Sequence, residues 1–206
     1  REFNAVCMSV WGYTTDDFSD ELFTTQDHAW LDALDEATSG VLDGVEALSI
    51  AGQQHGMVAL DSQGEPVREA LLWNDTRSAG AADDLVREWG GPQGWADAVG
   101  SVPVAAFTVS KARWLAQHEP HNAERTESMM LPHDYLTWRL AGCPEKATTD
   151  RGDVSGTGYW SPATGTYRDD LFELAFGRQL RLPRVAAPAE VVGETATGIA
   201  IAPGTG

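Results

Sequence analysis

The sequence predicts an α/β or α+β domain in which a mixed sheet is flanked by helices. Three observations carry this. Residues 26–42 place apolar side chains at helical spacing and lead into the strand-like run VEALSIA at 45–51. Two further strand patterns, 57–60 and 66–73, flank the turn Asp61-Ser62-Gln63-Gly64. From residue 78 onward, four helical segments follow, separated by breaks rich in glycine and proline.

Taken in order, residues 3–12 hold an apolar run of strand character, and the acidic, turn-rich stretch 13–25 reads as surface loop. The first helix has Trp30, Leu31, Leu34, Ala37, Val41 and Leu42 as its apolar positions, with Thr25 placed to cap it and Gly44 just past its end. The second covers 78–89 and stops at Gly90-Gly91-Pro92. The third covers 108–117, with Thr108 as its cap and His118-Glu119-Pro120 closing it. The fourth is 133–140, with Pro132 at its first turn, and a last short helix covers 168–176. Thr148–Trp160 between them is polar and glycine-rich. The tail from Leu182 carries Pro183, Pro188 and Pro203 and reads as a connecting segment with short β-like pieces.

Composition narrows the function classes. The chain has 206 residues, 42% hydrophobic, with eight tryptophans, so it has material for a packed core. Fourteen basic and 31 acidic side chains give a net charge of −17, which argues against nucleic-acid or anionic-membrane partners because phosphate binding needs clustered Lys and Arg. No apolar run approaches the ~20 residues of a membrane span, and no signal-peptide pattern opens the chain. Cys7 and Cys143 are too few for a disulfide framework and lack metal-site spacing. A reduced cytoplasmic protein is the expectation.

Three segments carry candidate chemistry. Gly52-Gln53-Gln54-His55-Gly56 follows a buried strand, where a sheet opens into a cleft. Carboxamides and an imidazole suit a polyhydroxyl ligand, and they also suit a strand end capped by its own side chains. Trp73-Asn74-Asp75 can offer an aromatic face to a sugar with polar groups beside it; a core tryptophan followed by a helix cap fits the residues as well. Asp150 and Asp153, three apart in Thr149–Trp160, fit a carboxylate general base near a substrate hydroxyl, or a solvated turn. The pattern of a calcium loop is absent there. His118, His121 and His133 lack local metal spacing, so no metal site is expected, and there is neither a Walker loop nor a G-x-S-x-G elbow.

In this order the motifs resemble one family. AGQQHGMVALDSQGEPVREALLWNDTRS, FTVSKARWLAQHEP, LPHDYLTWRLAG, TTDRGDVSGTGYWSP and LPRVAAPAEVVGETAT are similar to successive segments of FGGY-family carbohydrate kinases, and within them the xylulokinases. The resemblance spans roughly 26–206 and implies an actin-like, ribonuclease-H-like α/β domain, the N-terminal sugar-binding one. It implies transfer of the ATP γ-phosphoryl group to the 5-hydroxyl of D-xylulose. By the same resemblance Asp153 is the catalytic base, and Gln53, Gln54, His55, Trp73, Asn74 and Asp75 lie at the sugar. Asp150 is expected to orient the loop. The Gln54-His55 pair favours xylulokinases over glycerol kinases, whose corresponding positions look like Arg-Glu.

ATP and Mg²⁺ are the implied cofactors, bound mainly by parts outside this chain, and a homodimer is compatible with the family. The family's opening Gly-Ile-Asp-x-Gly-Thr hairpin, which approaches the phosphates, does not match FNAVCMSVWG. Residues 1–206 therefore read as the N-terminal domain without that hairpin, with the tail from about 183 leading to the interdomain hinge. The C-terminal nucleotide domain lies beyond, and the fragment alone is expected to be inactive. A non-catalytic carbohydrate-binding or regulatory module is the competing class; ribulose, gluconate and glycerol are the competing substrates.

Overall fold

The computed structural model describes residues 5–9 and 26–204. The run expected as a strand across 3–12 contains β1 (Ala5–Ser9), while the acidic stretch 13–25 and its Thr25 cap lie outside the described residues. Helix α1 (Gln26–Thr38) sets Trp30 and Leu34, four apart, into the interior. Strand β2 (Ala47–Ala51) follows, with Leu48 and Ile50 on its buried face. β1 and β2 pair in parallel from Ala5↔Ala47 to Ser9↔Ala51, as a helical crossover between them requires.

After β3 (Val58–Leu60) the chain turns at Asp61–Gly64. Gly64 takes φ +81, and the Asp61 carboxylate accepts the backbone N–H groups of Gln63 and Glu65. The returning limb, expected as a strand over 66–73, pairs only at Leu60↔Pro66 and Met57↔Leu71. Pro66 has no N–H to give, and irregular bonds such as Val67 N–H to Ala59 O replace a continuous ladder.

Helices α2 (Ala79–Glu88), α3 (Gly91–Val99), α4 (Thr108–His118) and α5 (Pro120–Arg125) come next. Two of these were not anticipated. Gly90-Gly91-Pro92 does end α2, but Gly90 and Gly91 at φ +80 and +79 reverse the chain into α3, where proline sits without cost in the first turn. Trp95 of α3 is fully buried and donates its indole N–H to Leu85 O at 3.0 Å. Pro120 likewise starts α5 as α4 ends.

Strand β4 (Ser128–Met130) pairs antiparallel with β3 and leads into α6 (Pro132–Leu140). Then follow β5 (Thr148–Thr149), α7 (Arg151–Ser155), β6 (Trp160–Ser161), β7 (Thr166–Tyr167), α8 (Asp169–Phe176) and β8 (Arg184–Val185). The tail is more than a connector. Its strands β9 (Gly193–Glu194) and β10 (Ala200–Ile201) join the main sheet, whose order is β1-β2-β10-β9, and Ile201 is fully buried.

Two apolar clusters hold the domain. One packs Trp30 and Leu34 on Leu48, Ile50, Tyr135, Leu136, Ile199 and Ile201. The other packs α4 between α2 and α8, through Leu85, Val109, Leu115, Leu171 and Phe172. The mixed α/β architecture expected from the sequence is the one observed. Among the described residues no helix is long and apolar enough to cross a membrane.

Candidate active site

Three loops meet where β2 ends, a usual place for a cleft in an open α/β sheet. The first is Gly52–Gly56. Its His55 sits at φ +64, an uncommon left-handed conformation for a residue with a side chain. The ring stacks on Phe107 at 5.0 Å, and its Nδ1 lies 2.8 Å from Gly156 O. A carbonyl only accepts, so Nδ1 is the donor, and in the neutral ring Nε2 keeps its lone pair for a ligand hydroxyl. Gln54 is exposed. Gln53 is half-buried, and its Oε1 is enclosed without a hydrogen-bond partner.

The second loop holds Trp73, which is 51% exposed and is therefore not the core tryptophan that the sequence also allowed. Asn74 is exposed beside it. The Asp75 carboxylate is already engaged, accepting the Arg77 backbone N–H at 2.9 Å and facing Arg77 Nε at 2.8 Å. Neither Asn74 nor Asp75 caps α2; Ser78 stands at that position.

The first turn of α4 ties these two loops together. Thr108, expected as the helix cap, is instead the first helical residue after Phe107. Its buried hydroxyl is directed to the carbonyls of His55 and Gly56, both at 3.4 Å. One turn on, the buried ammonium of Lys111 donates to Ala105 O at 2.7 Å and faces Asp75 O at 3.4 Å. Burial lowers its pKa to about 8, against the pull of Asp75.

The third loop is β5–α7. The stretch around Asp150 and Asp153 is not a solvated turn: Thr148, Thr149, Asp150, Asp153, Val154 and Thr157 are all buried. Two of its hydroxyls bond within the segment, Thr157 Oγ1 donating to Val154 O and Ser155 Oγ to Gly152 O. Asp150 caps α7 by accepting the Asp153 backbone N–H at 2.8 Å. The Asp153 carboxylate lies 3.1 Å from His133 Nδ1, and Asp134 lies 3.0 Å from the same nitrogen. Neither contact meets hydrogen-bond directionality, so attraction there is mainly between charges. Burial pulls the His133 imidazole down, but the two carboxylates outweigh it and hold its pKa well above the usual range.

Sequence reasoning did not find His133, because its acidic partners are either adjacent or brought in from 17 and 20 residues away. The neighbouring Pro132-His133-Asp134 at a helix start was the available signal.

His133, Asp150 and Asp153 are the one set among the described residues whose ligand atoms cluster tightly enough for a metal, within 4.8 Å of one another. They do not fit Mg²⁺, which prefers oxygen. One of the three offers an imidazole whose Nε2 is bonded to Pro203 O at 2.7 Å, and Asp150 is spent on its cap. The cluster is an ion-paired one, and no metal ligand is assigned here.

The fold has clear relatives among solved structures. The crystal structure of xylulose kinase from Bifidobacterium adolescentis matches with a TM-score of 0.80 and 36% identity, over 86% of this chain and 45% of that one. Plasmodium falciparum glycerol kinase with ADP, 17% identical, shares the fold with a TM-score of 0.74 over 89% of this chain and 38% of that one. The domain is thus of the actin-like ATPase fold found in carbohydrate kinases. A sequence model of the FGGY family of carbohydrate kinases, N-terminal domain, matches residues 10–206, and the chain belongs to that family. Among curated relatives, xylulose kinase of Streptomyces coelicolor is 50% identical over 172 residues, which are 82% of this chain and 35% of the relative. That of Escherichia coli is 31% identical over 178 residues, 84% of this chain and 36% of the relative. The chain spans about a third of the length of these relatives.

Proposed function

We propose that the protein is an ATP-dependent sugar kinase that phosphorylates the 5-hydroxyl of D-xylulose, and that residues 1–206 form most of its sugar-binding domain. The observation that carries this reading is the bond from His55 Nδ1 to Gly156 O, which sets the polar loop after β2 against the turn that ends α7. A sugar held by the Gly52–Gly56 loop then lies near the β5–α7 segment that carries Asp153.

In this mechanism the sugar hydroxyl oxygen attacks the γ-phosphorus, and the bond to the bridging oxygen of ADP breaks. The hydroxyl proton passes to Asp153, the general base. Gln53, Gln54 and the free Nε2 of His55 bind the sugar hydroxyls, and Trp73 covers an apolar sugar face, with Asn74 beside it. Asp75 acts through Arg77 to hold the Trp73 loop. The accompanying divalent cation, Mg²⁺ in this reading, offsets phosphate charge, which a domain of net charge −17 repels. Its ligands, those of the nucleotide and the hinge from about residue 183 are assigned to the rest of the protein and its tail. On this division of labour residues 1–206 alone turn over no ATP.

The test is ADP release by the complete reading frame with ATP, Mg²⁺ and D-xylulose, compared with L-ribulose, gluconate and glycerol. D-xylulose should give the highest kcat/KM. Asp153→Asn should lower kcat by roughly 10²–10⁴-fold while calorimetry shows unchanged sugar binding. Sugar binding without turnover of any of the four would favour a non-catalytic binding module instead.

A further inference from the structure

The first turn of α4 touches all three loops of the site. Thr108 directs its hydroxyl to the carbonyls of His55 and Gly56. The Val109 backbone N–H, which has no partner inside the helix, donates to Thr157 O at 2.9 Å. Lys111, three residues after Thr108 and so on the same face, reaches the Trp73 loop. The helix is anchored beneath by Val109, Ala112 and Leu115, all fully buried.

Lys111 is the one lysine or arginine buried among the described residues. Its ammonium has protons to give and nothing to accept. Nζ donates to Ala105 O at 2.7 Å and faces Asp75 O at 3.4 Å. The Ala105 carbonyl also accepts the hydroxyl proton of Ser78, the residue before α2, at 2.8 Å. Two chain segments therefore converge on one buried cation. One is 75–78, which follows Trp73; the other is 104–107, which ends in Phe107. The Phe107 ring in turn carries the His55 imidazole on its face at 5.0 Å. A buried ammonium needs these carbonyls, and without it they lose a donor.

We propose that Lys111 is a positioning residue for the sugar: by bridging the Asp75 and Ala105 carbonyls it locks the Trp73 loop to the Phe107 turn, so that the indole and the His55 ring keep one arrangement before the sugar arrives. The lysine acts through this preorganisation, which shows in binding and not in the chemical step. The inference rests on the reading that Trp73 and His55 bind the sugar. The charged groups acting on Lys111 are Asp75, which favours the ammonium, and Arg77, which opposes it. Burial outweighs both and lowers its pKa to about 8, so a higher pH removes the charge and loosens the hold on both carbonyls.

The test uses the complete protein and three variants: Lys111→Met, Trp73→Ala, and Lys111→Met combined with Trp73→Ala. Lys111→Met keeps an unbranched side chain and removes its charge and donors. It should raise KM and calorimetric Kd for D-xylulose by about tenfold, with kcat within about threefold of wild type and KM for ATP unchanged. In the Trp73→Ala background Lys111→Met should cost less than it does alone, because part of its effect runs through the indole. The wild-type Kd for D-xylulose should rise by about threefold from pH 7 to 9.5, while that of Lys111→Met stays level.

A folded Lys111→Met protein with wild-type KM and Kd for D-xylulose overturns the proposal. So do fully additive losses in the double variant, or the same pH slope with and without the lysine. Wild-type KM in Trp73→Ala overturns the reading of the sugar loop itself, so the two failures are distinguishable. Should Lys111→Met not fold, the wild-type titration decides: a Kd that rises through about pH 8 supports the arrangement, and a level one overturns it.

Discussion

His55 and Gly156 are 101 residues apart in sequence, yet the His55 ring donates from Nδ1 to the Gly156 carbonyl at 2.8 Å. Glycine is needed at 156 for more than this carbonyl. A methyl group on its Cα would overlap the imidazole ring. Gly156→Ala should therefore displace His55 and weaken D-xylulose binding by about 10–10²-fold, read by calorimetry, while unfolding moves far less. Unchanged affinity would mean that the His55 ring does not touch the sugar.

Trp73 gives the opposite combination. It is 51% exposed and appears in neither apolar cluster, so Trp73→Ala should leave the unfolding midpoint within about 0.5 kcal/mol of wild type. If the indole packs on the sugar, the same change should raise KM by about tenfold, through loss of about 1.4 kcal/mol of binding. A large drop in stability with an unchanged KM would assign the indole a packing role.

Lys111 predicts a pH dependence. Burial lowers its folded pKa from 10.5 to about 8. Between those values the unfolded chain binds a proton that the folded one does not, so this group makes stability rise with pH across that window. Below pH 8 its contribution is flat. The stability difference between wild type and Lys111→Met, measured by urea unfolding, should shift in favour of wild type from pH 8 to 10. A difference independent of pH would contradict the depressed pKa.

Trp95 tests the core. It is fully buried, and its indole donates to Leu85 O across the α2–α3 turn. Trp95→Ala should destabilise the domain by about 3–5 kcal/mol in urea unfolding. A loss below about 1 kcal/mol would show that the α2–α3–α4 cluster closes over the gap.

Much of the fold was legible because helices and strands that bury one face announce themselves by period. The i, i+4 pair Trp30 and Leu34 and the alternation at Leu48 and Ile50 are of this kind. Where reading failed, tertiary packing had overridden a local signal. Pro92 and Pro120 look like terminators but serve as first-turn residues of new helices. The tail looks like a linker because its strands are two residues long, yet β10 finds β2 in the sheet. Thr108 has the chemistry of a cap but spends its hydroxyl on the His55 and Gly56 carbonyls.

The sequence by itself determined the α/β class, the turn at Gly64 and the family, since each follows from spacing or from residue types in order. It also placed carboxamides, imidazole and carboxylate on loops that follow strands. Only the tertiary structure decided which of these polar groups face one another. Burial of the Asp150–Asp153 loop, the approach of His133 to Asp150 and Asp153, and the bond from His55 to Gly156 all join residues that no local pattern links. Their physical cause is shared: once the apolar faces pack, each enclosed polar atom needs a partner, and the nearest one is set by the path of the chain in space.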